Sequence, residues 1–185
     1  ITAVAGGIGV VAARTGMLPT VEIIKLAGEL IAAAKIPKVV IDPVMVCKGA
    51  GQPLFPENTK AMIDYLLPLA DVVTPNTFEA EQLAGMDEFK SEDDLLSAAQ
   101  KIHGLGAKNV VIKAARIFDD KTVDLFYDGT SATWLRGEKV NTSWTHGAGC
   151  SFSACITAEL AKGKSVADAV AMARGFGCGG FELSS

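Results

Sequence analysis

The stretch Lys38-Val39-Val40-Ile41-Asp42 is a run of β-branched residues that ends in a carboxylate. Such a run, polar only at its ends, is typical of a strand that is buried on both faces of a parallel sheet. Three further segments, residues 9–15, 71–74 and 109–113, are also predicted to be strands. Because helical segments separate them, the chain is predicted to have an α/β fold, with a mostly parallel central sheet and helices on both faces.

The helical segments are marked by capping residues and by apolar periodicity. Thr20 and Ser165 are predicted N-caps, and Ser91 begins another helix whose first turn is acidic. A hairpin is predicted to turn at Asp128-Gly129-Thr130. The predicted helices cover residues 21–35, 57–67, 77–85, 91–105, 152–161 and 166–176, and the hairpin strands cover residues 122–127 and 132–135.

The composition describes a globular protein of one domain, predicted to span residues 1–185. A net charge of −4 argues against a nucleic-acid partner, and no apolar run reaches the roughly 18 residues of a membrane span. The four cysteines show no CxxC spacing, which favours free thiols in a reducing cytoplasm. The chain opens on an apolar stretch without an initiator Met or a basic region, so we expect its N-terminal part to be missing.

The stretch Thr145-His146-Gly147-Ala148-Gly149-Cys150-Ser151-Phe152-Ser153 is a glycine-rich turn that leads into a helix. Unpaired backbone N–H groups and the helix dipole make such a turn suitable for an anion, most often phosphate. Cys150 lies at the first turn, where its thiolate form is stabilised. The alternative is an ordinary helix start with a structural cysteine, since short glycine motifs are common.

Polar residues follow several predicted strands, and the carboxyl ends of parallel strands are where ligands bind. Asp42 and Glu79 provide carboxylates suited to Mg²⁺, and Lys113 provides a positive charge suited to phosphate. Each residue alone also has a structural explanation: Asp42 could cap a turn, Asn76 could form an Asx turn, and Lys113 could be a solvated strand end. Their joint position at one edge of the sheet favours a site.

Three motifs in this order resemble those of the ribokinase-like vitamin kinases, in the branch of hydroxymethylpyrimidine phosphate kinase. They are Ile41-Asp42-Pro43-Val44-Met45, Thr74-Pro75-Asn76-Thr77-Phe78-Glu79-Ala80 and His146-Gly147-Ala148-Gly149-Cys150. The resemblance implies a three-layer ribokinase-like sandwich that transfers phosphate from Mg·ATP to a hydroxymethyl group on a heteroaromatic ring, and a homodimer. It also implies that roughly sixty further residues precede the chain and that the last helix continues beyond Ser185.

The resemblance assigns roles to individual residues. Cys150 stands where sugar kinases of this fold have an aspartate base. Met17 and Val44, together with Cys150, match positions that contact the substrate ring, and Asp42 and Glu79 match positions near the metal. The positions that bind the cofactor ATP, with its Mg²⁺, are Asp42, Asn76, Glu79, Lys113, Gly147, Ala148 and Gly149.

Within this branch, Val46-Cys47-Lys48-Gly49 resembles the flap of the Gram-positive pyridoxal and pyridoxine kinases. There, Cys47 would help Cys150 attack the pyridoxal aldehyde; the alternative is a small apolar residue that fills space in a loop. Lys113 is followed by Ala114-Ala115-Arg116, where the family usually has two glycines. The expected activity is therefore phosphorylation of pyridoxal or pyridoxine. The alternatives are a hydroxymethylpyrimidine kinase, a sugar kinase of the same fold, and a nucleotide-binding module without catalysis.

Overall fold

A computed structural model of the chain describes residues 2–45, 56–113, 121–138 and 148–178. The described strands form one six-stranded sheet in the order β1-β2-β3-β4-β5-β6. The strands are β1 (Ala12–Thr15), β2 (Lys38–Ile41), β3 (Val72–Val73), β4 (Val110–Lys113), β5 (Lys121–Tyr127) and β6 (Ala132–Glu138). The helices are α1 (Thr2–Ile8), α2 (Val21–Ala34), α3 (Pro56–Tyr65), α4 (Thr77–Ala84), α5 (Glu92–Gly104), α6 (Ala148–Ala161) and α7 (Val166–Cys178), with a short 3₁₀ turn at Leu67–Leu69.

The sheet is mostly parallel with one antiparallel hairpin, as predicted. Strands β1 to β4 pair in parallel, and β4, β5 and β6 pair antiparallel. The hairpin turns at Asp128, whose carboxylate accepts hydrogen bonds from the backbone N–H groups of Thr130 and Ser131. The parallel order puts the carboxyl ends of β1 to β4 along one edge of the sheet.

Side chains alternate between the two faces of the sheet along each strand, so a separate hydrophobic core forms on each face. The sheet and the helices on its two faces make three layers. In β2, Val39 and Ile41 pack on one face, against helices α2 to α5, whereas Val40 packs on the other, against α6 and α7. Each central strand is therefore apolar on both faces, which explains the uninterrupted β-branched runs in the sequence. The predicted fold class, an α/β three-layer sandwich with helices on both faces, is confirmed.

Two elements begin three or more residues away from their predicted starts. The first strand begins at Ala12, not at residue 9, and α1 precedes it over Thr2–Ile8. This opening stretch is uniformly small and apolar, so it carries no 3.6-residue pattern from which a helix could be predicted. Helix α6 begins at Ala148, four residues before its predicted start at Phe152.

The predicted N-caps Thr20 and Ser165 are confirmed, and Ser91, which was predicted to begin a helix, is the N-cap of α5. The Thr20 side chain accepts a hydrogen bond from the Ile23 N–H at the start of α2. Ser91 forms a reciprocal capping box with Asp94 at α5, and the Ser165 hydroxyl accepts the Asp168 N–H at α7. Among the described residues, no helix has the length and apolar character needed to cross a membrane.

Candidate active site

Asp42 lies at the centre of the site, immediately after β2, and is only 2% exposed. The guanidinium Nη1 of Arg14 lies 3.1 Å from its Oδ2 atom, and the ammonium Nζ of Lys113 lies 3.4 Å from its Oδ1 atom. A buried carboxylate needs such partners, because removing an ionised group from water is unfavourable without them. Two cations from two different strands therefore share one buried anion.

Two hydroxyl groups complete the surroundings of this carboxylate. The Ser153 hydroxyl of α6 lies 2.9 Å from Asp42 Oδ2, and the Thr74 hydroxyl, just after β3, lies 3.4 Å from Oδ1. Both oxygens of Asp42 thus have two partners each. Ser153 and Thr74 are themselves completely buried, so this network holds β1, β2, β3, β4 and α6 in one arrangement.

Asn76 and Glu79 form a capping box at the start of α4. The Asn76 side chain accepts the Glu79 N–H at 2.9 Å, and the Glu79 carboxylate accepts the Asn76 N–H at 2.8 Å. The other Glu79 oxygen accepts the Met45 N–H at 3.4 Å, which ties α4 to the segment that follows Asp42. Burial raises the pKa of Glu79, and the nearby charge of Asp42 adds to this, while the N–H donors and Lys113 act in the opposite direction.

Both backbone groups of Lys113 form hydrogen bonds with the segment that joins β3 to α4. Its N–H donates to the Pro75 carbonyl at 2.9 Å, and its carbonyl accepts the Thr77 hydroxyl at 3.4 Å. A parallel bridge between Asn76 and Lys113 continues the pairing of β3 with β4, three residues beyond the Val73–Val110 pair. The capping box and the lysine are consequently neighbours at the carboxyl edge of the sheet.

The first turn of α6 is formed by Ala148, Gly149 and Cys150. A Cβ atom placed on Gly149 would lie 3.3 Å from Lys113 Nζ, so the ammonium sits directly beside this backbone. Cys150 is an exposed free thiol, and its carbonyl accepts a hydrogen bond from Arg14 Nη1 at 3.3 Å. The structure thus joins the helix start to Asp42 and Lys113, as the motifs predicted.

The predicted ring-contacting residues occupy the same edge of the sheet. Met17, two residues beyond β1, is 49% exposed. Val44 is half-buried, and its N–H donates to the Asp42 carbonyl at 2.9 Å. Two predicted site residues, the flap residue Cys47 and the ATP-binding residue Gly147, lie outside the described residues. The Ala114-Ala115-Arg116 segment lies outside them as well.

Sequence reasoning missed Arg14, Ser153 and Thr74. Arg14 carried a usable signal, since a charged residue near the carboxyl end of a predicted buried strand needs a partner. Ser153 and Thr74 carried none, because a serine inside a helix and a threonine after a strand are ordinary residues in ordinary places. Only the packing of α6 onto the sheet shows that these hydroxyl groups meet Asp42.

The donors at this edge of the sheet suit a phosphate group. The Lys113 ammonium and the backbone N–H groups at the start of α6 match the charge and hydrogen-bonding needs of phosphate, and a Gly149 side chain would crowd this space. Asp42 and Glu79 have the carboxylate oxygens that could hold Mg²⁺. Among the described residues, no three His, Cys, Asp or Glu side chains are grouped to hold a metal. Mg²⁺ commonly binds through one or two carboxylates together with substrate phosphates.

This fold and this arrangement of residues at the sheet edge are those of the ribokinase-like class of proteins. The sequence signature of the phosphomethylpyrimidine kinase family matches residues 1–179, and the chain belongs to that family.

Individual relatives are similar over most of the chain. The pyridoxine kinase of Bacillus subtilis is 55% identical over 171 residues, which cover 92% of this chain and 63% of that protein. The crystal structure of an ADP complex of Bacillus subtilis pyridoxal kinase superposes with a TM-score of 0.86 at 55% identity, and covers 92% of this chain and 64% of that one. The Staphylococcus aureus pyridoxal kinase in complex with AMP-PCP and pyridoxal gives a TM-score of 0.82 at 48% identity, and covers 89% of this chain and 59% of that one. The chain thus spans less than two thirds of the length of these relatives.

Proposed function

We propose that the protein phosphorylates the hydroxymethyl group of pyridoxal or pyridoxine, using Mg·ATP. The observation that carries the proposal is the convergence of Asp42, Lys113 and the Gly149-Cys150 helix start at one sheet edge, in a chain 55% identical to a pyridoxine kinase. Phosphoryl transfer depends on positioning and on charge stabilisation, and this group of residues offers both.

The proposed roles follow from position and charge. Lys113 and the first backbone N–H groups of α6 bind the phosphate that is transferred, and Asn76 and Glu79 fix the neighbouring turn. Asp42 and Glu79 would hold Mg²⁺, which when bound neutralises part of the phosphate charge. The fixed donors require little rearrangement when the phosphate arrives, which is the condition for electrostatic stabilisation.

Cys150 is proposed to contact the substrate from the exposed first turn of α6. With pyridoxal, its thiolate would add to the aldehyde carbon, so that an S–C bond forms and the carbonyl oxygen takes a proton relayed by Cys47. Met17 and Val44 are proposed to contact the ring. This step is available only to the aldehyde form of the vitamin, since pyridoxine has an alcohol at that carbon.

A second candidate is the phosphorylation of hydroxymethylpyrimidine or its phosphate. The match of residues 1–179 to the phosphomethylpyrimidine kinase signature favours it. Both substrates present a hydroxymethyl group on a flat nitrogen heterocycle, so the same phosphate site serves either one.

The deciding experiment compares kcat/KM for pyridoxal, pyridoxine and hydroxymethylpyrimidine with the full-length protein, in one assay coupled to ADP release. We expect a clear preference for pyridoxal or pyridoxine. A preference for the pyrimidine would overturn this choice in favour of the second candidate. Binding of Mg·ATP without turnover of any of the three would identify a nucleotide-binding module instead.

We also propose that the protein works in the cytoplasm as a homodimer, which is the arrangement that the family resemblance implies. Light scattering coupled to gel filtration of the full-length protein tests the second point. A single species with the mass of one chain would contradict the dimer.

A further inference from the structure

Arg14 connects β1 to two other elements through a single nitrogen atom. Its Nη1 lies 2.8 Å from the Ser153 hydroxyl, 3.1 Å from Asp42 Oδ2 and 3.3 Å from the Cys150 carbonyl. The first and last of these acceptors belong to α6, and the second follows β2. One guanidinium thus binds both the buried carboxylate and the main chain of the proposed catalytic cysteine.

Ser153 also links α6 to Asp42. Its side chain is fully buried, and its hydroxyl lies 2.9 Å from Asp42 Oδ2. The carbonyls of Gly149 and Cys150 lie farther away, at 3.2 and 3.1 Å. A hydroxyl has one proton, and a carboxylate is a stronger acceptor than a carbonyl. Ser153 therefore accepts from Arg14 and donates to Asp42, which locks the first turn of α6 onto the sheet.

Two cations contact Asp42, and among the described residues Arg14 also has hydrogen-bond acceptors on α6. Arg14 is held by Ser153 and by the Cys150 carbonyl, whereas the Lys113 ammonium lies at 3.4 Å from Asp42 and beside Gly149. If Lys113 turns toward a phosphate, Arg14 still balances the Asp42 charge. The buried carboxylate does not then have to be left unpaired, which is costly in a protein interior.

We propose that Arg14 and Ser153 are positioning residues, which set the place of Cys150 relative to Asp42 and release Lys113 for phosphate. The inference rests on the proposed function, because it takes Cys150 and Lys113 as parts of a kinase site. It adds two residues that act through others and do not themselves need to touch the substrate. Their removal should therefore affect the chemical step more than the binding of ATP.

The test uses the full-length protein with Ser153→Ala and a matched control, Thr157→Val. Thr157 lies one turn further along α6, and its hydroxyl donates to the Ser153 carbonyl at 2.8 Å. The control therefore also deletes a hydrogen-bonding hydroxyl from the same helix, but it leaves Asp42 untouched. Thermal unfolding measures how much each change disturbs the fold.

We expect Ser153→Ala to lower kcat roughly 10- to 100-fold through misplacement of the reacting groups, and to change the KM for ATP by less than about threefold. Thr157→Val should keep the wild-type kcat, and Ser153→Thr should recover most of the activity because it retains the hydroxyl. Arg14→Met removes the contacts of β1 with Asp42 and with the first turn of α6. It should also lower kcat. It remains informative if Ser153→Ala does not fold.

A second readout does not depend on turnover. Iodoacetamide alkylation of Cys150, followed by mass spectrometry of its peptide, should change in rate by roughly two- to fivefold in Ser153→Ala, because the turn that carries this exposed thiol is no longer held to Asp42. Half-buried Cys155 on the same helix is the internal reference. Folded Ser153→Ala and Arg14→Met variants with wild-type kcat and wild-type alkylation would overturn the inference. A wild-type protein without kinase turnover would instead refute the proposed function.

Discussion

Gly149→Ala is the substitution that most directly tests the phosphate site. A Cβ atom at this position would lie 3.3 Å from Lys113 Nζ, slightly closer than ordinary van der Waals contact, which begins at 3.4 Å. The ammonium must therefore move by a few tenths of an ångström or more. The new methyl group also occupies the space beside the first N–H groups of α6, where we place the phosphate.

Gly149→Ala should have a small effect on the free energy of unfolding and a large effect on kcat/KM for ATP. Folding should change little, because the atom that must move is the end of a flexible side chain and because alanine is favoured over glycine in a helix by about 0.5–1 kcal/mol. Catalysis should lose one charge-assisted hydrogen bond to phosphate, worth about 1.5–3 kcal/mol. That loss corresponds to a decrease of roughly 10- to 150-fold in kcat/KM for ATP.

The assay is steady-state kinetics at varied ATP concentration, together with urea unfolding of the same preparations. Gly175→Ala is the matched control: it makes the same chemical change in α7, where a Cβ would have no atom within 4 Å. The control should keep wild-type kinetics and gain a little stability. If Gly149→Ala shows wild-type kcat/KM while remaining folded, Lys113 and the start of α6 do not bind the phosphate, and the reasoning fails.

Three further predictions concern single residues. Cys150→Ala should abolish turnover in the coupled assay yet leave ATP binding, measured by calorimetry, largely intact; an unchanged kcat would remove Cys150 from the mechanism. Burial raises the pKa of Glu79, so the folded protein holds that proton more tightly than the unfolded chain, and the free energy of unfolding should fall as the pH rises above about 4.3, the ordinary pKa of glutamate. Urea unfolding of Glu79→Gln should show a smaller decline over this range, and an identical decline would refute the assignment to Glu79. Gly28→Ala should destabilise the protein by about 1–3 kcal/mol, because its Cβ would lie 2.6 Å from the Tyr65 carbonyl oxygen. Stability equal to or above that of the wild type would contradict the packing of α2 against α3.

The elements of the fold could be predicted where local chemistry is distinctive. The strand β2 and the helices capped by Thr20 and Ser165 were predicted correctly, because strand burial and capping act over a few neighbouring residues. Helix α1 was missed because its small apolar residues show no amphipathic period. The start of α6 was placed too late because the residues before Phe152 include a glycine and a cysteine that are poor indicators of a helix.

The predicted polar residues at the sheet edge illustrate what a motif can reveal about a site. Asp42, Asn76, Glu79 and Lys113 were named from their positions after strands, and the structure brings these four together through the network around Asp42 and the bridge from Asn76 to Lys113. Their roles toward ATP and Mg²⁺ remain predictions. The position of Cys47 relative to them also remains a prediction, since that residue lies outside the described part of the chain.

The sequence by itself determined the α/β class, the parallel edge of the sheet and the glycine-rich helix start, since each depends on residues that are close together along the chain. Only the tertiary structure decided which partners surround Asp42. Arg14 and Ser153 are 139 positions apart in the sequence, and their contact arises because α6 packs across β1 and β2. A buried carboxylate requires partners but does not specify them, so the choice is made by the packing of α6 against the sheet.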